Sequence, residues 1–132
     1  MVYGHDMVLV VDDDLAVRES IKFALEVDGL NVAVCSCGTE LLAFSGLRDA
    51  SLLIIDCEMP QMDGFSVLRR LVEEAVTVPV VLMTVHATER LKRRASSAGV
   101  RYVIEKPFFN GSLLDSVHDV LSGKSDIKSV AV

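Results

Sequence analysis

The 132-residue chain has no run of about 18 uninterrupted apolar residues, so a helix long enough to cross a membrane is not expected. Its N-terminal stretch lacks a basic region before the first apolar run and carries Asp6 there. That argues against a secretory signal and makes the cytoplasm the expected compartment. Broad positive charge is missing too. The formal net charge is −6, and the one basic cluster, Arg90, Lys92, Arg93 and Arg94, is short and carries no interleaved aromatics. Direct nucleic-acid binding needs a wider positive face and is not expected. Cysteine is scarce: Cys35, Cys37 and Cys57. A disulfide between Cys35 and Cys37, across one residue, would be strained, and the scattered histidines do not obviously complete a metal site with these thiols. Reduced, partly buried cysteines are the expectation. The length suits one domain able to bury a core without staples.

What is present is a repeated layout of greasy runs that end in chemistry. Val8-Leu9-Val10-Val11 leads into Asp12-Asp13-Asp14, and Leu52-Leu53-Ile54-Ile55 into Asp56. Val80-Val81-Leu82-Met83 leads into Thr84, and Tyr102-Val103-Ile104 into Glu105-Lys106-Pro107. Short apolar runs of this kind read as strands buried on both faces. In parallel sheets ligands bind beyond the carboxyl ends of the strands, so these end residues are expected to meet at one sheet edge.

Between the runs the period becomes helical. Val17, Ile21, Ala24 and Leu25 form one stripe, Phe65, Leu68, Leu71 and Val72 a second, and Leu113, Val117, Val120 and Leu121 a third. Asp14 is placed to cap the first helix, and Asn110 or Ser112 the last. Leu30, Val32 and Val34, between Gly29 and Gly38, read as a further strand, followed by a short helix over residues 39–44. Over residues 87–98 only Leu91, Ala95 and Ala98 face inward, so a helix there should be the loosest element. Strand and helix alternate five times. This predicts an α/β fold with a five-stranded parallel sheet and helices on both faces. Residues 1–123 would form the domain and residues 124–132 a C-terminal tail or truncated linker.

In a flavodoxin-like (βα)5 arrangement with strand order 2-1-3-4-5, the switch point lies between the first and third strands. Asp12, Asp13 and Asp56 then converge. Carboxylates a few ångströms apart repel by about 4 kcal/mol per close pair at an effective dielectric near 20, so the cluster calls for a cation. An all-oxygen site suits Mg2+, and Lys106 supplies a second positive charge. A solvated turn or cap is the simpler reading for Asp14. It is a poor one for three acids at strand ends in one layer. With Thr84 added, the set has the parts of a phosphoryl-transfer site: a carboxylate nucleophile, cations for the equatorial oxygens and a hydroxyl donor.

These residues carry a resemblance. Val10-Val11-Asp12-Asp13-Asp14, the stretch Ile54-Ile55-Asp56-Cys57-Glu58-Met59-Pro60-Gln61-Met62-Asp63-Gly64, Thr84 after a strand, and Lys106-Pro107-Phe108 together resemble the receiver domain of two-component response regulators, over about residues 5 to 122. The ending around Lys106 looks like the FixJ-type subgroup, whose members often add a DNA-binding domain. The resemblance implies that Asp56 is the phosphoacceptor. It also implies that Asp13, Asp56 and the backbone carbonyl of Glu58 ligate Mg2+, with Asp12 assisting through water or Lys106. Thr84 and Lys106 would hold the phosphoryl oxygens, and the Lys106-Pro107 bond would be cis. A sensor histidine kinase or phosphotransfer protein is the implied donor. An output protein would meet the face made by the fourth helix, fifth strand and fifth helix. A homodimer is compatible with the family, and the domain would be a signalling phosphoprotein with intrinsic self-dephosphorylation rather than an enzyme.

The chain departs from the family at two places, and two further residues flank the site. The switch position three residues before the lysine is Val103, not an aromatic. Tyr102 precedes it and, because side chains alternate along a strand, should face the other way. Val85, after Thr84, is bulkier than the usual small residue and is expected to crowd the acceptor. Glu58 and His86 flank the site mouth, where an ion pair could set rates between about pH 6 and 8. His5 and His118 have no partner pattern and are expected at the surface. Two other readings compete with the phosphorylation switch. One is a receiver-fold binding module that works without phosphorylation. The other is an aspartate-nucleophile phosphatase of the haloacid dehalogenase type, suggested by Asp-x-Asp within Asp12-Asp13-Asp14. Ala16 stands where that family has threonine or valine, and the chain has no room for a cap domain.

Overall fold

The computed structural model describes residues 6–123 and the backbone of 128–130. Strands β1 (Met7–Val11), β2 (Asn31–Cys35), β3 (Leu52–Asp56), β4 (Val80–Thr84) and β5 (Tyr102–Glu105) alternate with helices α1 (Leu15–Val27), α2 (Gly38–Leu42), α3 (Gly64–Glu73), α4 (Glu89–Ser97) and α5 (Asn110–Leu121). All strand pairings are parallel, and the order is β2-β1-β3-β4-β5. This is the expected doubly wound order. Lys128–Val130 adds a short sixth strand, β6, parallel to β5 at the sheet's edge.

Side-chain alternation divides the core into two layers. Leu9, Val11, Leu53, Ile55, Leu82 and Val103 point to one face and pack against Leu41, Phe65, Leu68, Leu71 and Ala95 of α2, α3 and α4. Val8, Val10, Leu52, Ile54, Val81, Met83, Tyr102 and Ile104 point to the other and meet Ile21, Leu25, Leu113, Val117 and Val120 of α1 and α5. Every residue of β3 and β4 is buried because helices cover both faces. Truncating a central side chain such as Ile54 to alanine would cost about 2–5 kcal/mol.

The helices hold to their stripes with local exceptions. Asp14 caps α1 by accepting the Val17 N–H at 3.2 Å. Asp63 caps α3 by accepting from Ser66 N–H at 2.8 Å. The cap expected from Asn110 or Ser112 is not formed: α5 begins at Asn110 itself, so Phe109 holds the cap position and has no side-chain acceptor to offer. Val72, counted in the inward stripe of α3, is exposed, and Val67 is buried in its place. The short second helix ends at Leu42, before the expected residue 44. α4 fully buries only Ala95, against five residues for α3.

Candidate functional site

The parallel register sets the site. Val11 pairs with Ile55, so the next residues, Asp12 and Asp56, emerge side by side where β1 and β3 end. Asp56 pairs with Met83 and Thr84 with Glu105, which brings Thr84 and Lys106 to the same edge. Lys106 is held there through its own backbone, whose N–H donates to the Thr84 carbonyl at 2.7 Å. The bond from Lys106 to Pro107 is cis. Strand-end residues separated by up to 94 positions thus share one layer, as the greasy-run pattern predicts.

Asp12 and Asp56 are buried. The Lys106 ammonium donates to Asp12 Oδ2 at 2.7 Å and to Asp56 Oδ1 at 3.1 Å. The other Asp12 oxygen accepts the Asp14 N–H at 2.8 Å, and Asp56 Oδ1 also takes the Glu58 N–H at 3.3 Å. Among the described residues no hydrogen bond is made to Asp56 Oδ2. Burial and the neighbouring Asp12 charge push the Asp56 carboxyl up to about 6, and Lys106 only partly offsets them. For Lys106, burial works against the charged form, but the Asp12 hydrogen bond and the charges of Asp12 and Asp56 outweigh it and the ammonium is held more firmly than usual. One cation thus leaves the acid pair short of positive charge. Asp13 completes a set whose carboxylate oxygens lie within 4.8 Å of one another, and unlike the other two it is exposed to solvent. Two buried acids, one open acid and an under-neutralised centre fit a hard divalent ion that keeps some of its waters.

The loop after Asp56 requires its glycine. A Cβ on Gly64 would lie 2.8 Å from the Asp56 carbonyl oxygen and 2.9 Å from Cys57 Cα, both backbone atoms. Cys57 itself is buried, which raises its thiol to about 12; Cys35 is likewise raised to about 11, chiefly by burial. All three cysteines are free. Only Cys37 is lowered, first by its hydrogen-bonded contact with Thr39.

Across the site mouth Glu58 meets the β4 end and not the His86 ring. Thr84 Oγ1 donates to Glu58 Oε2 at 2.5 Å, and the Val85 N–H donates to Glu58 Oε1 at 3.1 Å. His86 takes part through its backbone, donating its N–H to Thr84 Oγ1 at 3.2 Å. Val85 is exposed and lines a cleft of about 480 Å³ between α1 and the β5–α5 connection, together with Asp14, Ser20, Lys106 and Phe108.

Val103 is buried on the α3–α4 side and Tyr102 on the α1–α5 side, where its hydroxyl donates to Asp119 Oδ2 at 2.5 Å. The tyrosine is therefore anchored to α5 and does not face the layer Val103 occupies. His118, expected to stand alone, lies with Nε2 2.6 Å from Asp28 Oδ2, joining α5 to the end of α1. No sequence signal marks that pair across 90 residues. Arg94 of the basic run sits 3.9 Å over the Phe65 ring. His5 and the side chains of residues 124–132 lie outside the described residues.

The family model described as response regulator receiver domain matches residues 8–118. The C4-dicarboxylate transport transcriptional regulatory protein DctD of Pseudomonas aeruginosa is 34% identical over 118 residues, covering 89% of this chain and 26% of that protein. The cell cycle response regulator CtrA of Brucella ovis is 29% identical over 114 residues, covering 86% and 49%. The chain thus spans about a quarter to a half of these relatives. Among solved structures, chemotaxis protein CheY4 of Vibrio cholerae superposes with a TM-score of 0.82 at 26% identity, covering 88% of this chain and 98% of the other. FixJ-N gives 0.79 at 29%, covering 89% and 94%. Among the described residues no helix is long and apolar enough to cross a membrane.

Proposed function

The chain belongs to the response regulator receiver family of two-component signalling, and on that premise we propose that Asp56 accepts a phosphoryl group from a sensor histidine kinase or phosphotransfer protein in a magnesium-dependent reaction. The observation that carries this reading is the sharing of one ammonium, Lys106, between two buried carboxylates, Asp12 and Asp56, at 2.7 and 3.1 Å. A purely structural ion pair needs one acid. Burial and the second acid beside it push the Asp56 carboxyl up to about 6, and that second acid has a use only where further positive charge arrives.

Asp13, Asp56 and the backbone carbonyl of Glu58 would hold Mg2+, with Asp12 in support. Bound there, the ion would neutralise charge on the phosphoryl oxygens and the acceptor. The chain's own residues do the rest. Asp56 Oδ2, free of hydrogen bonds among the described residues, is the attacking atom. Lys106 stands within reach of one flank of the acceptor, and Thr84 supplies a hydroxyl for a phosphoryl oxygen on another. Water attack on the acyl phosphate returns the domain to its starting state, so the chemistry serves a switch and the chain is a signalling domain. The free thiols suit the cytoplasm.

The output face is formed by α4, β5 and α5. Val103 and Tyr102 are both buried, so the change reaches that face through backbone and α4 movement rather than by rotation of an aromatic at Val103. α4, with only Ala95 fully buried, is the element that moves most readily. Its surface would meet an output protein or a second copy of the domain.

Incubation with Mg2+ and acetyl phosphate or phosphoramidate, followed by intact-mass measurement, should add one phosphate to wild type and none to Asp56→Asn. No adduct on wild type would leave a binding module that works without phosphorylation. An adduct that survives Asp56→Asn and is lost in Asp12→Asn would point to a phosphatase-like nucleophile.

A further inference from the structure

Resting on the phosphoacceptor role of Asp56, we propose that the Glu58 carboxylate is a tethered stand-in for the incoming phosphoryl group, occupying its donors in the resting domain and disfavouring anionic small-molecule donors. Two oxygens of one carboxylate engage the Thr84 hydroxyl at 2.5 Å and the Val85 N–H at 3.1 Å. Two oxygens of a phosphoryl group offer the same pair of acceptors. The tether is short: Glu58 lies two residues beyond the acceptor, and its own N–H donates to Asp56 Oδ1 at 3.3 Å. The same segment therefore senses the acceptor through its backbone and blocks the opposite donors through its side chain. The clamp is reinforced by the His86 N–H, which donates to Thr84 Oγ1 at 3.2 Å and leaves the hydroxyl proton directed at Glu58.

Transfer has to undo this. When acetyl phosphate reacts, an Asp56 oxygen forms a bond to phosphorus. The bond from phosphorus to the acyl oxygen breaks, and acetate leaves with that electron pair; no proton or redox partner is required. The dianionic phosphoryl group can reach Thr84 and Val85 only after Glu58 lets go, and it approaches a mouth carrying one more negative charge. Glu58 is exposed, so its carboxylate can swing into water, at the cost of the two hydrogen bonds it makes to Thr84 and Val85. A protein donor that draws the carboxylate outward would remove the block, whereas a small donor has no such contacts. Glu58 is thus a positioning residue that sets donor preference, acting through Thr84 and Val85.

The test compares wild type, Glu58→Gln and Glu58→Ala, all as the full chain. Phosphorylation rates are measured with dianionic acetyl phosphate and with the less anionic phosphoramidate, and the Val85 amide is followed by NMR without any donor. A hydrogen bond to a charged group is worth enough for a roughly five- to tenfold effect. Glu58→Ala should therefore speed reaction with acetyl phosphate by about that factor and move the Val85 amide resonance. Glu58→Gln, which keeps the shape and loses the charge, should speed acetyl phosphate more than phosphoramidate. Equal rates in all three proteins on a wild type that does label Asp56, or an unmoved Val85 resonance in Glu58→Ala, overturn the clamp and leave the phosphoacceptor reading intact. A wild type that takes no phosphate overturns both.

Discussion

The two sides of the site are built on different terms. On one side, Asp12, Asp56 and Lys106 come from three separate strand ends, with both acids out of solvent and the ammonium between them. On the other, Glu58, Val85 and His86 stand on exposed connections and are tied to Thr84 by a few hydrogen bonds. A buried charge that loses its partner is expensive, so the first side cannot give up its ammonium without loss. Exposed hydrogen bonds are exchanged with water at little net cost. The first side therefore sets which reaction is performed, and the second is free to set its rate and its donor.

The largest effect expected from breaking this contrast comes from Lys106→Ala. It strips the acid pair of its ammonium and a preorganised charge from the acceptor, and should slow phosphorylation by about 100-fold or more, read by intact mass over time. A smaller effect concerns stability without metal. The Asp56 carboxyl, ordinarily near 3.8, is raised to about 6 in the folded domain, so the fold holds this proton more tightly than the unfolded chain does. The stability linked to that proton is complete below about 3.8 and is lost as the pH climbs through about 6. Asp56→Asn, which cannot ionise, should therefore be more stable than wild type near pH 7 by about 3 kcal/mol, and the advantage should vanish towards pH 3.5. Thermal melts in chelator across that range measure it. The smallest effect belongs to Val85→Ala. Opening the cleft beside Lys106 should change labelling by small donors by about twofold, since exposed substitutions rarely do more. Were Val85→Ala as damaging as Lys106→Ala, the division between a fixed side and a tunable side would collapse.

Much of this is legible in the amino-acid sequence. Apolar runs of four, bounded by turns, mark β1, β3 and β4 because a strand covered on both faces admits almost no polar residue. Asp14 could be read as a cap because its partner, Val17, is three residues away. The Asn110 or Ser112 cap could not, since it depended on where α5 begins after the Lys106-Pro107 connection. Val72, which the spacing turns inward, is exposed for a related reason. Helical spacing defines a face only to within a residue, and the docking of α3 on the sheet chose Val67 instead.

Local pattern and residue chemistry are enough to specify a parallel α/β sheet and to place three acids, a threonine and a lysine at its carboxyl edge, because strand periodicity and strand-end position are short-range properties. Packing alone decided that Lys106 bridges both buried acids, that Tyr102 is fastened to Asp119, that His118 meets Asp28, and that Glu58 turns to Thr84 and Val85 and not to His86. Each of those choices joins residues at least 17 positions apart in the chain. A side chain with several donors in reach selects among them by distances that exist only once the sheet has closed.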